Sequence, residues 1–214
     1  MSDKMRIKIF SCIMLTLFFL CACRTQSVYA KEKITVGTNA EYAPFEYLDS
    51  DGNLTGFDYE LLEAIAQEEN LELEWKDMPF DSLVGSMETG NIQIIAAAIG
   101  PTKEREKSVD FSDVYYTGSQ SIVSSQKTPL YDFAGLSGKR VAVLEGSQSD
   151  FIVSGENTDY GVVENATVVR FKNAASAVME LKNGGVNAVL IDTLGVISLR
   201  HYRQTSAIFE NDCR

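Results

Sequence analysis

Arg105 and Asp192 are the two side chains best placed for recognition chemistry, because each stands where an apolar run stops. In "IIAAAIGPTKER", residues 94–105, the apolar run gives way to Gly100-Pro101-Thr102 and then to charge. In "VNAVLID", residues 186–192, the run ends on a carboxylate. A guanidinium is a planar, permanently charged fork that matches a carboxylate. A carboxylate at an apolar strand end fits a core poorly but suits an ammonium group. A helix starting near Thr102 would add free backbone N–H groups, with Thr102 as its cap or as a hydroxyl contact. The pair therefore suits a zwitterion, its carboxylate on Arg105 and its ammonium on Asp192. The opposing reading is structural: Arg105 sits among Lys103, Glu104, Glu106 and Lys107, and such runs are usually solvated faces.

Other chemistries find less support. The chain has one histidine, His201, and no Ser-His-Asp constellation follows from it. Of four cysteines, Cys12, Cys21 and Cys23 lie in the leader region and only Cys213 lies beyond it, so neither an internal disulfide nor a cysteine metal site is expected. No cofactor is implied. The net charge of −11 over 214 residues, with no basic stripe, excludes a nucleic-acid partner.

These residues need a scaffold, and the pattern supplies one. "KITVGTN" reads as a strand. "DSDGNLTG" reads as a turn, and Asp58 as the cap of a helix running to about Glu69. "LELEW" alternates like a strand, residues 81–89 suit a short helix closed by Gly90, and residues 92–99 suit a buried parallel strand. Residues 115–125 read as extended. "SGKRVAVLEGSQSD" gives a turn, a strand and a helix start; "TVVRF", "AASAVMELKNGG" and "VNAVLID" give strand, helix and strand. This alternation implies an α/β fold with parallel sheets. "LVGSMETGNIQIIAAA" (83–98) and "AVMELKNGGVNAVLID" (177–192) align without a gap, as two lobes built on one plan would. Ligands of such sheets sit beyond the carboxyl ends of the strands.

The first residues read as an export signal. Lys4, Arg6 and Lys8 precede a short apolar run that is too short to span a membrane as a mature helix. Leu20-Cys21-Ala22-Cys23 resembles the lipobox of bacterial lipoproteins, which makes Cys23 the expected lipidation site. A second cut after Val28-Tyr29-Ala30 would mean ordinary secretion.

The chain resembles the polar amino-acid family of bacterial extracellular solute-binding proteins, which feed ABC importers. The resemblance covers about residues 33–195 and rests on four stretches: "ITVGTNAEYAPFEYLDSDGNLTGFDYELLEAIA", "SLVGSMETGNIQIIAAAIGPTKEREKSVDFSDVYYTG", "LSGKRVAVLEGS" and "GGVNAVLID". It implies a two-lobed periplasmic-binding-protein fold with a hinge cleft. Residues 1–22 would be the signal, 23–32 a tether, 33–120 the first lobe and 121–214 the second. In the cleft, Arg105 would hold the ligand carboxylate and Asp192 its ammonium, with Tyr42 and Phe80 packing on the ligand. Ala97, Ala98 and Gly100 would offer main-chain groups, and Ser147 and Gln148 would complete the carboxylate site. Asn39 stands where many members carry Asp, which argues for a non-cationic polar amino acid. The resemblance implies a monomeric, lipid-anchored receptor that meets a transporter permease at the membrane. The alternatives are a dehydratase-like enzyme of the same fold and a sensory ligand-binding domain. "SLRHYRQTSAIFENDCR" matches no part of the pattern and shows no hinge strand, so the tail is expected to be truncated before the family's return to the first lobe.

Overall fold

The computed structural model describes residues 30–156 and 163–196, and the backbone of 208–213. The signal, Cys23, most of the tether and most of the tail fall outside these residues.

Two sheets carry the fold. In the first, β1 (Glu32–Thr38) lies between β5 (Leu71–Asp77) and β6 (Ile94–Ile95), parallel to both. Burial deepens along β1 until Val36 and Thr38 are fully enclosed, so the strand's carboxyl end points into the protein. A small antiparallel meander follows β1, made of β2 (Glu41–Tyr42), β3 (Glu46–Leu48) and β4 (Leu54–Thr55). Helix α1 (Phe57–Glu68) starts from Gly56, whose φ of 122° and whose closeness to the Phe45 carbonyl oxygen, which an added Cβ would strike, exclude a side chain there. Helix α2 (Leu83–Glu88) then packs Leu83 against Ile92 and Ala97.

The second sheet has the order β11-β7-β10-β8-β9. It comprises β7 (Gln120–Ser125), β8 (Arg140–Leu144), β9 (Thr167–Phe171), β10 (Ala188–Asp192) and β11 (Ile208–Cys213). Strands β9, β8 and β10 are parallel, and β7 is antiparallel to both β10 and β11. Val141 and Val143 of β8 enter one apolar cluster with Ile122 and Leu190; Ala142 enters another with Val189 and Ile191. The sheet is thus covered on both faces, which explains why its strands read as apolar runs. Helix α3 (Gln148–Ser154) is capped by Ser147 and helix α4 (Ala174–Asn183) by Asn173.

Five expectations are corrected. The third strand is two residues long, not eight, because the chain turns at Ala98, whose φ is +45°. No helix begins at Thr102; the segment makes one 3-10 turn, Arg105–Lys107, and presents no row of free N–H groups. Asp58 does not cap α1: it lies in the first turn and its carboxylate reaches elsewhere. The tail does contain a strand, since β11 pairs with β7 over six residues and satisfies that strand's backbone edge. The expected extended stretch 115–125 is strand only from Gln120 onward.

Candidate functional site

A cavity of about 490 Å³ opens between the carboxyl ends of the two sheets. Arg105 and Asp192 both line it, one following the first sheet and the other ending β10. Of the remaining expected residues, Asn39, Tyr42, Phe80, Ala97, Ala98 and Gly100 line it from the first sheet's side. Ser147 and Gln148 line it from the second. Thr102 does not; its Oγ1 accepts a bond from the Arg105 backbone N at 3.2 Å, so it supports the turn that carries the arginine.

Arg105 is 7% exposed. Its guanidinium donates to Gly100 O and to Gly146 O, each at 2.7 Å, so it joins the two sides of the cleft. Phe80 and Phe151 flank it, each ring centroid 5.5 Å from the guanidinium carbon. Burial lowers its pKa to about 10, and the charge of Asp192 partly offsets this. The cation is therefore held fixed, short of counter-charge and partly desolvated, a poised anion site.

Asp192 Oδ1 accepts from Gln120 Nε2 at 2.6 Å, and Gln120 Oε1 accepts from Ser149 Oγ at 2.6 Å. This relay aims the carboxylate. Burial raises its pKa to about 6; the Gln120 bond and Arg105 pull it back. At neutral pH it is ionised and costly, and an ammonium ligand would relieve that cost. Gln120 lies directly across the antiparallel register from Asp192, a pairing that local sequence does not reveal.

Around this pair the wall is aromatic. Tyr42 stacks on Phe45 at 5.4 Å, and Phe45 meets Tyr116 edge-on at 5.0 Å. Burial, then the Asp192 charge, pushes the Tyr42 hydroxyl pKa up, so Tyr42 stays neutral. Asn39 Nδ2 donates to Met78 O at 3.1 Å, which ties that side chain to the chain just after β5.

Two further carboxyl groups line the cavity, Glu41 and Glu46. Glu46 is 1% exposed and its Oε2 has no partner among the described residues. Burial and then the charge of Asp58 push its pKa up to about 10. Its signal was present in the sequence: a carboxylate inside Pro44-Phe45-Glu46-Tyr47-Leu48, the same anomaly that marks Asp192. Outside the cavity, Lys172 Nζ bridges Asp81 at 2.6 Å and Glu145 at 3.0 Å, linking the two sides at the rim. Beside it Gly146, with φ +71°, brings its Cα so near that a Cβ would lie 3.3 Å from Asp81 Cα.

Known proteins resemble this chain in sequence and in fold. The arginine-binding extracellular protein ArtP of Bacillus subtilis is 34% identical over 180 residues, which is 83% of this chain and 69% of that protein. A probable histidine-binding protein of Neisseria gonorrhoeae is 35% identical over 159 residues, 74% of this chain and 58% of that one. The chain thus spans 58% to 69% of the length of these relatives. The solved structure of an ancestral arginine-binding protein bound to arginine superposes with a TM-score of 0.75 at 33% identity, covering 86% of this chain and 80% of that chain. The fold is the α/β periplasmic-binding-protein fold. The family pattern reaches further than the sequence motifs did, through residues 34–203, and with it the chain belongs to the bacterial extracellular solute-binding proteins, family 3.

Proposed function

We propose that this chain binds a free α-amino acid in the cavity between its sheets and delivers it to the permease of an ABC importer. The observation that carries this is the pairing of one buried guanidinium and one buried carboxylate on a single cavity. Arg105 takes the ligand carboxylate through N–H groups left free by its two carbonyl bonds, and Asp192 takes the ammonium. Contacts from both sides mean that ligand favours the closed cleft, the form a permease would read.

The side chain of the ligand is set by what remains. Asn39 lacks the charge that a cation would use and speaks for a neutral polar ligand. Glu41 and Glu46 speak against it. With Asp192 they make three carboxyl groups against one cation, Arg105, on the lining. A zwitterion uses one of each and leaves Glu41 and Glu46; Glu46 is protonated in the free protein, and a cationic side chain beside it would favour its ionised form. The reading best supported is therefore a cationic side chain, with arginine as the first candidate, since relatives on the same fold are named for arginine and histidine. The chain acts as a monomer held at the cell surface through lipid on Cys23; a mature N-terminus at Lys31 without acyl mass would show secretion instead.

Calorimetric titration with arginine and with glutamine, in the natural chain and in Glu46→Gln, tests the assignment. Glu46→Gln should cut the preference for arginine over glutamine by about tenfold or more. A natural chain that prefers glutamine would restore the neutral reading.

A further inference from the structure

Asp58 is a charged group that the proposed binding chemistry does not use. It is 3% exposed and does not line the cavity. It sits in the first turn of α1, where an acid favours the helix end, yet its carboxylate turns inward. Its Oδ2 accepts from the Ala98 backbone N at 2.7 Å and from the Tyr115 hydroxyl at 2.9 Å. Both partners belong to segments that build the cavity. Ala98 lines it, and Tyr115 precedes Tyr116, Thr117 and Gly118, which line it as well.

Ala98 is the telling partner. Its φ of +45° lies in the left-handed region, which a residue with a Cβ rarely adopts unless the surroundings hold it there. Asn70 and Asn165, the other non-glycine residues with positive φ among those described, are of a type that tolerates this region. Ala98 is not, so an external hold is required. The turn at Ala98 ends the first sheet's third strand and sets the direction of the chain through Gly100. The carbonyl of Gly100 accepts the Arg105 guanidinium at 2.7 Å. The path from Asp58 to the ligand's carboxylate partner is therefore short: Asp58 holds Ala98, Ala98 places Gly100, and Gly100 places Arg105.

We infer that Asp58 is a positioning residue of the ligand site, which fixes the strained Ala98 turn and, with it, the aim of Arg105. A second hold on Tyr115 ties the crossing segment to the same oxygen, so one carboxylate sets two walls of the cavity. The inference rests on the proposed amino-acid site, but its backbone part does not.

The test has two readouts. In the ligand-free protein, hydrogen exchange of the Ala98 amide should be slow in the natural chain. In Asp58→Ala it should be fast, beyond any change in the amides of α1. In calorimetry, Asp58→Ala should weaken arginine binding by about ten- to a hundredfold, the worth of a charge-assisted bond. Adding Ala98→Gly to Asp58→Ala should recover part of that loss, because glycine reaches the left-handed region without help. A merely structural role for Asp58 predicts no such recovery. Arginine affinity unchanged in Asp58→Ala, or a loss that Ala98→Gly leaves in full, would overturn the inference. Should Asp58→Ala fail to fold, Asp58→Asn keeps the shape and loses the charge; faster Ala98 exchange supports the inference and unchanged exchange overturns it. A natural chain that binds neither arginine nor any other free amino acid would refute the proposed function, and the exchange of Ala98 would still decide the role of Asp58.

Discussion

Replacing Arg105 with alanine should separate binding from stability. In the free protein the guanidinium carries opposing energies. Burial takes its pKa from 12.5 to about 10, which corresponds to about 3 kcal/mol against the charged form. Its two bonds to Gly100 O and Gly146 O return about 1.5 kcal/mol each, the low end for a bond from a charged donor. These sums nearly cancel, so Arg105→Ala should change unfolding stability by about 1 kcal/mol or less. Ligand binding has no such cancellation. The substitution leaves a buried ligand carboxylate unpaired, which costs about 2–5 kcal/mol, or roughly thirty- to several-thousandfold in affinity. Calorimetry against arginine, paired with a denaturant titration of the same sample, reads both quantities. Affinity within threefold of the natural chain would refute the carboxylate role. A stability loss as large as the affinity loss would make Arg105 a structural residue instead.

Two other outcomes follow from the charges at the cleft. Asp192 ionises near pH 6 in the free protein and an ammonium ligand binds the ionised form, so affinity should fall by up to tenfold per pH unit as pH drops below about 6; a flat profile would remove Asp192 from the site. Its effect on stability has the opposite sign: a carboxyl whose pKa rises from 3.8 to about 6 on folding binds protons better when folded, so that stabilisation is present below 3.8 and is lost as pH rises to about 6. Lys172→Met removes the rim bridge between Asp81 and Glu145 and should speed ligand release in stopped-flow experiments, with a weaker salt dependence than the natural chain shows; equal release rates at low and high salt in both proteins would leave the bridge without a role in closure.

What the sequence revealed and what it hid divides along physical lines. Arg105 and Asp192 were legible because each breaks an apolar run, and burial of charge is costly enough to be informative wherever it occurs. Glu46 breaks a run in the same way, but that run is short and aromatic, so its carboxylate stands out less. Gln120 was not legible, because its role comes from antiparallel register with Asp192, 72 residues away. Asp58 was misread because a helix cap and a first-turn acid look alike in sequence; only the fold shows that its carboxylate faces Ala98 and Tyr115. The third strand was overlong for a related reason. "IIAAAI" has the composition of a buried strand throughout, and nothing in an alanine announces a left-handed turn. Likewise the helix expected at Thr102 rested on a cap signal that a single 3-10 turn satisfies as well.

On the proposed function, the cavity reads both ends of a free amino acid, the carboxylate through Arg105 and the ammonium through Asp192. Calorimetric titration of the natural chain with arginine and with its decarboxylated analogue agmatine tests this most directly. Saturable one-to-one binding of arginine is expected, with agmatine weaker by about a hundredfold, the loss expected when a buried guanidinium is left without its partner. Equal binding of the two, or no binding of any free amino acid, would contradict it.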